Sequence, residues 1–230
     1  MDKPPQSKSA GDIAREVGRA IISVVPAAGG PLQVAFENIF ASPIEKRKQA
    51  WLERLAEAFT ELQERVAELT PEALAANEAF VTVTMHASQI AIRNHRKEKI
   101  DALRNAVFNA ALLNPQHDDE QMIFIRLIDQ LTPLHLAVLS LLRDPGGWMD
   151  RNGIRNPGWG MGGVSTVIEH CLPDLRGRRD TYDQIIRDLQ AEGLVAQGQF
   201  VHVTMTGHGM VTSRTTDRGN RFIGFITSPA

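Results

Sequence analysis

Cysteine is all but missing from this chain. Cys171 stands alone, so no intrachain disulfide can form, and the composition suits a reducing compartment. Lysine stops at Lys99, which removes from the C-terminal half the side chain that a Walker loop uses to grip phosphate. Neither sign of charge dominates. With 25 Lys and Arg against 27 Asp and Glu the net charge is −2, which gives no overall pull toward nucleic acid or an anionic membrane. A secretory leader is not expected, because the first apolar stretch begins only after Asp12, Arg15, Glu16 and Arg19. A cytoplasmic location is therefore expected, with a peripheral place at the membrane as the alternative.

That alternative rests on residues 20–36, which carry no charge over 17 residues. A helical span needs roughly 20 apolar residues, and Pro26, Gly29, Gly30 and Pro31 interrupt this one. The pattern reads as an apolar helical hairpin within residues 20–40, either buried or surface-seeking. Ile21, Ile22, Val24, Val25, Leu32, Val34 and Phe36 are its candidate partner or membrane contacts. Residues 1–11, with Pro4, Pro5, Ser7 and Ser9, read as a flexible tail.

What is present is a packable core and strong helical signalling: 43% of the residues are hydrophobic and 23% charged, close to the globular norm. Ser42-Pro43 with Glu45 starts a helix in capping-box fashion. Ile44, Trp51, Leu52, Leu55, Phe59, Leu62, Val66 and Leu69 then recur at helical spacing, opposite a solvated face of Glu53, Arg54, Glu57, Glu61, Glu64 and Arg65. Thr70-Pro71 opens a longer stretch toward Leu113, which Asn114-Pro115 is expected to end. The polar run Arg93–Lys99 marks either a bend or a departure from the core. Asp118, Asp119 and Glu120 suit a new N-terminus, and Thr132-Pro133 starts a strongly apolar helix to Leu142.

Seven of the 18 residues from Gly146 to Gly163 are glycine, which predicts a loop. Short helices are expected at Val164–Cys171 and Asp180–Glu192, the second closed by Gly193. The period then becomes two, predicting a β-hairpin with strands Phe200–Met205 and Met210–Thr215. Thr216 can cap a last helix through Phe222 and Ile226. The expected fold is mainly α: a helical bundle over 12–130, followed by a winged helix-turn-helix over 131–230 with a small β-hairpin.

Leu131-Thr132-Pro133 to Leu142, Tyr182 to Leu189, Glu192-Gly193-Leu194-Val195, and Thr216 with Gly219 and Phe222 together resemble the MarR-type winged helix. Glu98–Val107 with Leu131–Leu136 resembles an uncharacterised family of bacterial and prophage proteins, and more distantly the Abi-alpha group named for abortive infection. The resemblance implies a role in phage defence or a mobile element. It carries over no functional residue.

No catalytic, metal or cofactor set emerges, and no enzyme is expected. Gly158–Gly163 fits G-x-G-x-x-G, but loop-like residues precede it where a dinucleotide fold needs a buried strand. His170 beside Cys171, and His202 with His208, fall short of the three or four ligands that zinc requires. The remaining candidates are basic: Arg176, Arg178 and Arg179 before the Asp180 helix, and Arg214 and Arg218 beyond it, at positions where a winged helix could meet nucleic acid. Asp180, Asp183 and Asp188 oppose them, and from Gly146 onward nine Arg face eight Asp or Glu. The leading expectation is a non-enzymatic interaction or sensing protein that contacts a protein partner, itself or a membrane, with no small-molecule substrate indicated. The alternative is a DNA-binding regulator dimerised through its helical part.

Overall fold

The computed structural model describes residues 42–66, 69–112 and 118–228. The tail, the apolar hairpin with its seven candidate residues, and Asn114-Pro115 lie outside them. Among the described residues the chain is mainly helical, with eleven α-helices and one two-stranded sheet. It divides into two units. One runs up to Gln130 and also takes Phe225–Ala230; the other is Leu131–Gly224.

In the first unit, α1 (Ser42–Arg65), α3 (Glu78–Arg93), α4 (Lys97–Leu112) and α5 (Asp118–Gln130) pack on one another, and α2 (Pro71–Ala76) lies against α3. Trp51, Leu55, Phe59 and Leu62 of α1 are buried, as their spacing predicts, whereas Ile44 in the first turn is 42% exposed. The opposite face is not simply solvated. Arg54 pairs with Asp101 of α4, and Glu61 accepts from both Arg65 and Arg104. Long charged side chains reach back over the helix that packs beside them. A polar relay crosses this core: Trp51 Nε1 donates to Ser88 Oγ (2.9 Å), which donates to the Thr84 carbonyl (2.7 Å).

The stretch expected to run on to Leu113 is three helices. Asn77 caps α3 by accepting from the Phe80 amide (3.0 Å). Asn94 closes the same helix, its side-chain amide donating to the Ile90 carbonyl (2.8 Å). The polar run therefore holds a break at Asn94–Arg96, yet Lys99 goes inward. It is 7% exposed, and its ammonium donates to the Asp129 carbonyl at the end of α5 (2.7 Å). Burial holds its pKa below the usual lysine value. The chain's last described residues complete this unit. Asn105 donates to the Ile226 carbonyl, Asn109 to those of Phe225 and Thr227, and Phe225 lies 5.6 Å from Phe124, ring centre to ring centre.

In the second unit, α6 (Pro133–Arg143) buries Val138, Leu139, Leu141 and Leu142 against α8 (Val164–Cys171) and α9 (Arg179–Ala191). The glycine-rich segment is not loop throughout. Asp144 accepts from the Gly147 amide (2.9 Å) and Pro145 takes the first helical position, so α7 forms over Pro145–Arg151 despite two glycines. The expected hairpin does not form either. Its first strand shrinks to β2 (Met205–Thr206), which pairs antiparallel with β1 (Met161–Gly162). Thr206 caps α10 (Gly207–Met210), a helical turn where the tight turn of the hairpin was expected, and no strand follows it over Met210–Ser213. Residues 214–216 pair instead with 194–196, through a Val195–Thr215 bridge and hydrogen bonds from Ala196 to Arg214 and from Thr216 to Leu194.

Gly193 has a φ of 68°, the left-handed conformation that ends α9. Thr216 then caps α11 (Asp217–Ile226), accepting from the Gly219 amide (3.0 Å) while its hydroxyl donates to the Gly193 carbonyl (2.6 Å). A β-carbon at Gly219 would fall onto the Leu194 carbonyl oxygen. Because rigid backbone receives the clash, Gly219→Ala should destabilise by roughly 1–3 kcal/mol or more, measured as a lower urea midpoint. Gln121 gives the opposite sign. It is 2% exposed and neither side-chain amide atom has a hydrogen-bond partner among the described residues, so Gln121→Leu should stabilise by about 1 kcal/mol in the same assay.

Candidate functional site

The second unit carries all five basic candidates, and the structure treats them differently. Arg214 turns inward. Its guanidinium donates to the Gly209 carbonyl (2.8 Å), contacts the Met205 sulfur (3.3 Å) and sits 5.8 Å from the Phe200 ring centre. It holds the 197–213 excursion together and is not displayed for a phosphate. Arg179 forms an ion pair with Asp183 one turn along α9 (3.5 Å), and Arg178 donates to the Asp174 carbonyl (3.3 Å). Arg218 is half-buried in the first turn of α11. Arg176 alone of the five is exposed with no side-chain hydrogen bond or ion pair to a described residue.

The face of α9 follows from its sequence. Tyr182, Ile185, Ile186 and Leu189 are buried, which turns Asp180, Gln184 and Arg187 outward and leaves Asp183 and Asp188 half-buried at the margins. Each of those two acids takes a histidine. His202 Nε2 lies 2.7 Å from Asp183, and His135 Nε2 lies 3.2 Å from Asp188. The Thr132 amide donates to His135 Nδ1 (3.3 Å), so the ring proton belongs on Nε2, facing the carboxylate. Gln184 donates to Asp188 (2.7 Å) and Arg187 to Gln184 (2.7 Å). Apart from exposed Asp180, the outer surface of α9 is therefore a network of polar groups bonded to one another or to a histidine.

Beside it a cleft of about 310 Å3 runs along α8, lined by Ser165, Thr166, Glu169, His170 and Arg176. Only Arg176 was among the sequence candidates. The pairs Ser165–Glu169 and Thr166–His170 stand four residues apart on one helix, a spacing that puts each pair on one face. Arg176 joins them through the turn Pro173–Leu175. The G-x-G-x-x-G segment just before the cleft is no phosphate cradle. The Ser165 amide donates to the Val201 carbonyl (2.9 Å) and the Thr166 amide to Gly163 (3.0 Å), so these first-turn donors are occupied.

Cys171 is 3% exposed, and burial pushes its thiol up to about 11. At neutral pH it stays protonated, a core residue rather than a nucleophile. No group of three His, Cys, Asp or Glu side chains among the described residues could hold a metal ion. No single helix among them is long and apolar enough to cross a membrane.

Burial, followed by a hydrogen bond to Glu169 and the nearby carboxylate charge, pushes the Tyr182 phenol from 10.0 up to about 12. Tyr182 is the only tyrosine in the chain, so absorbance at alkaline pH reports it alone. A folded-state value above the unfolded one means this stability is complete below pH 10 and is lost as pH climbs toward 12. The native protein should show its phenolate transition near 12, moving to about 10 in denaturant. Glu169→Gln should lower the native value.

Set against known protein families, curated proteins and solved structures, the chain matches none.

Proposed function

We propose that this chain is a non-enzymatic interaction protein whose second unit is a winged helix used to dock a protein partner. The order α6, β1, α8, α9, the paired segments 194–196 and 214–216, and α11 supports the winged-helix reading. The observation that carries the docking reading is the state of the α9 surface. A DNA-reading helix offers free cations and donors to phosphates and base edges. Here Arg179, Arg187 and Arg178 are engaged by neighbours, Arg214 is inside, and Asp180, Asp183 and Asp188 would face the phosphates. A paired, mixed-charge surface suits a protein whose own charges are interleaved. A place in phage defence or a mobile element rests on the Abi-alpha resemblance alone.

The competing reading, a DNA-binding regulator, draws on exposed Arg176 and the basic turn around it. A gel-shift series across salt separates the two, because each neutralised phosphate contributes about 0.9 to the slope of log affinity against log salt. The docking reading expects duplex DNA binding that is weak at low salt, with no more than about two phosphates neutralised. Tight, steeply salt-dependent binding that Arg178→Ala with Arg179→Ala removes would overturn it. Neutralising the opposition by Asp180→Asn with Asp183→Asn should raise non-specific DNA affinity above that of the unmodified chain.

A further inference from the structure

The α8 cleft is polar in every lining residue, and its groups divide into two kinds. The Ser165 and Thr166 hydroxyls and the Arg176 guanidinium make no side-chain hydrogen bond or ion pair with a described residue. Glu169 and His170, by contrast, are already oriented. Glu169 faces the Tyr182 phenol closely enough that its charge opposes ionisation of the ring. His170 Nε2 lies 3.0 Å from the Arg155 carbonyl, and its ring meets Trp159 edge-on with centroids 5.2 Å apart. A carbonyl can only accept, so Nε2 carries the proton and Nδ1 is left as an acceptor. The cleft thus offers a guanidinium and two hydroxyls to an oxyanion, with a carboxylate oxygen and an imidazole nitrogen to accept hydrogen bonds from the same ligand.

We propose that this cleft binds a small phosphorylated polyol of the sugar-phosphate class. The phosphate is held by Arg176, whose fork geometry suits oxyanions, and by the Ser165 and Thr166 hydroxyls. The ligand's own hydroxyls donate to Glu169 and to His170 Nδ1. Bare phosphate matches only half of this set and meets the Glu169 charge unscreened. A DNA backbone matches it no better, because its sugars have no free hydroxyl to donate to Glu169. A volume of about 310 Å3 stands at the lower end of small-molecule sites. The site does not use the outer face of α9 and stands whether or not that face docks a protein.

Calorimetric titration of the full chain tests the proposal with ribose 5-phosphate, ribose, inorganic phosphate and a short DNA duplex as separate probes. Ribose 5-phosphate should bind saturably, and ribose and phosphate each at least about tenfold more weakly. Arg176→Gln should weaken ribose 5-phosphate by about tenfold or more, while Arg187→Gln on α9 leaves it unchanged. Because Arg176 and Arg187 are exposed, both variants should keep the thermal midpoint of the parent chain. Absence of saturable ribose 5-phosphate binding, equal affinity for inorganic phosphate, or an unaffected Arg176→Gln variant would each overturn the proposal. Duplex DNA binding through Arg176 without ribose 5-phosphate binding would overturn it in favour of a nucleic-acid backbone.

Discussion

One side-chain hydroxyl organises the second unit. Thr216 donates to the carbonyl of Gly193 at the end of α9 and accepts the amide of Gly219 at the start of α11, while its own amide donates to Leu194. Three elements are thereby registered at one point: the helix that carries the acids of the outer face, the 194–196 segment, and the closing helix. The approach is close enough that position 219 has no room for a β-carbon. The Thr-x-x-Gly spacing is therefore a steric requirement of this junction, not only a helix-capping habit. Leu194, Val195 and Phe222 are wholly buried around it, so its geometry fixes how the core of this unit fills.

Helices were legible wherever local signals and burial agree. Thr132-Pro133, Thr216-x-x-Gly219 and the apolar spacing of α1 each announce their element, because the cap and the buried stripe both lie within a few residues. The failures came where a local signal was outweighed. Two glycines in Gly146-Gly147 suggested loop, but Asp144 and Pro145 supply both the cap and the fixed backbone angle that a short helix needs. The alternation through Phe200–Thr215 suggested a hairpin, but Thr206 caps a turn of helix there. The strand partners lie 45 residues apart in sequence, Met161 against Thr206, a pairing that period-two patterning alone cannot specify.

The candidate site shows a different limit. A sequence displays arginines but not what each is paired with. Arg214 and Arg176 look alike as letters, yet one clamps a loop from within and the other lies open at a cleft. The acids on α9 were visible as opposition. Their histidine partners were not, since His135 and His202 lie on other elements, 53 and 19 residues away. The Ser165–Glu169 and Thr166–His170 pairs could have been found from spacing alone. They stayed hidden because an eight-residue apolar helix reads first as core.

The first unit is discontinuous in sequence. Its helices run up to Gln130, and its last pieces, the carbonyls that Asn105 and Asn109 hold and the ring that meets Phe124, arrive only at Phe225–Thr227. During synthesis the whole of Leu131–Gly224 leaves the ribosome before those pieces do. The first unit therefore waits, its two asparagines and one phenylalanine face uncovered, while the second has all of its own residues and can fold. A chain released before Phe225 is joined would carry every residue of the second unit and an incomplete first unit.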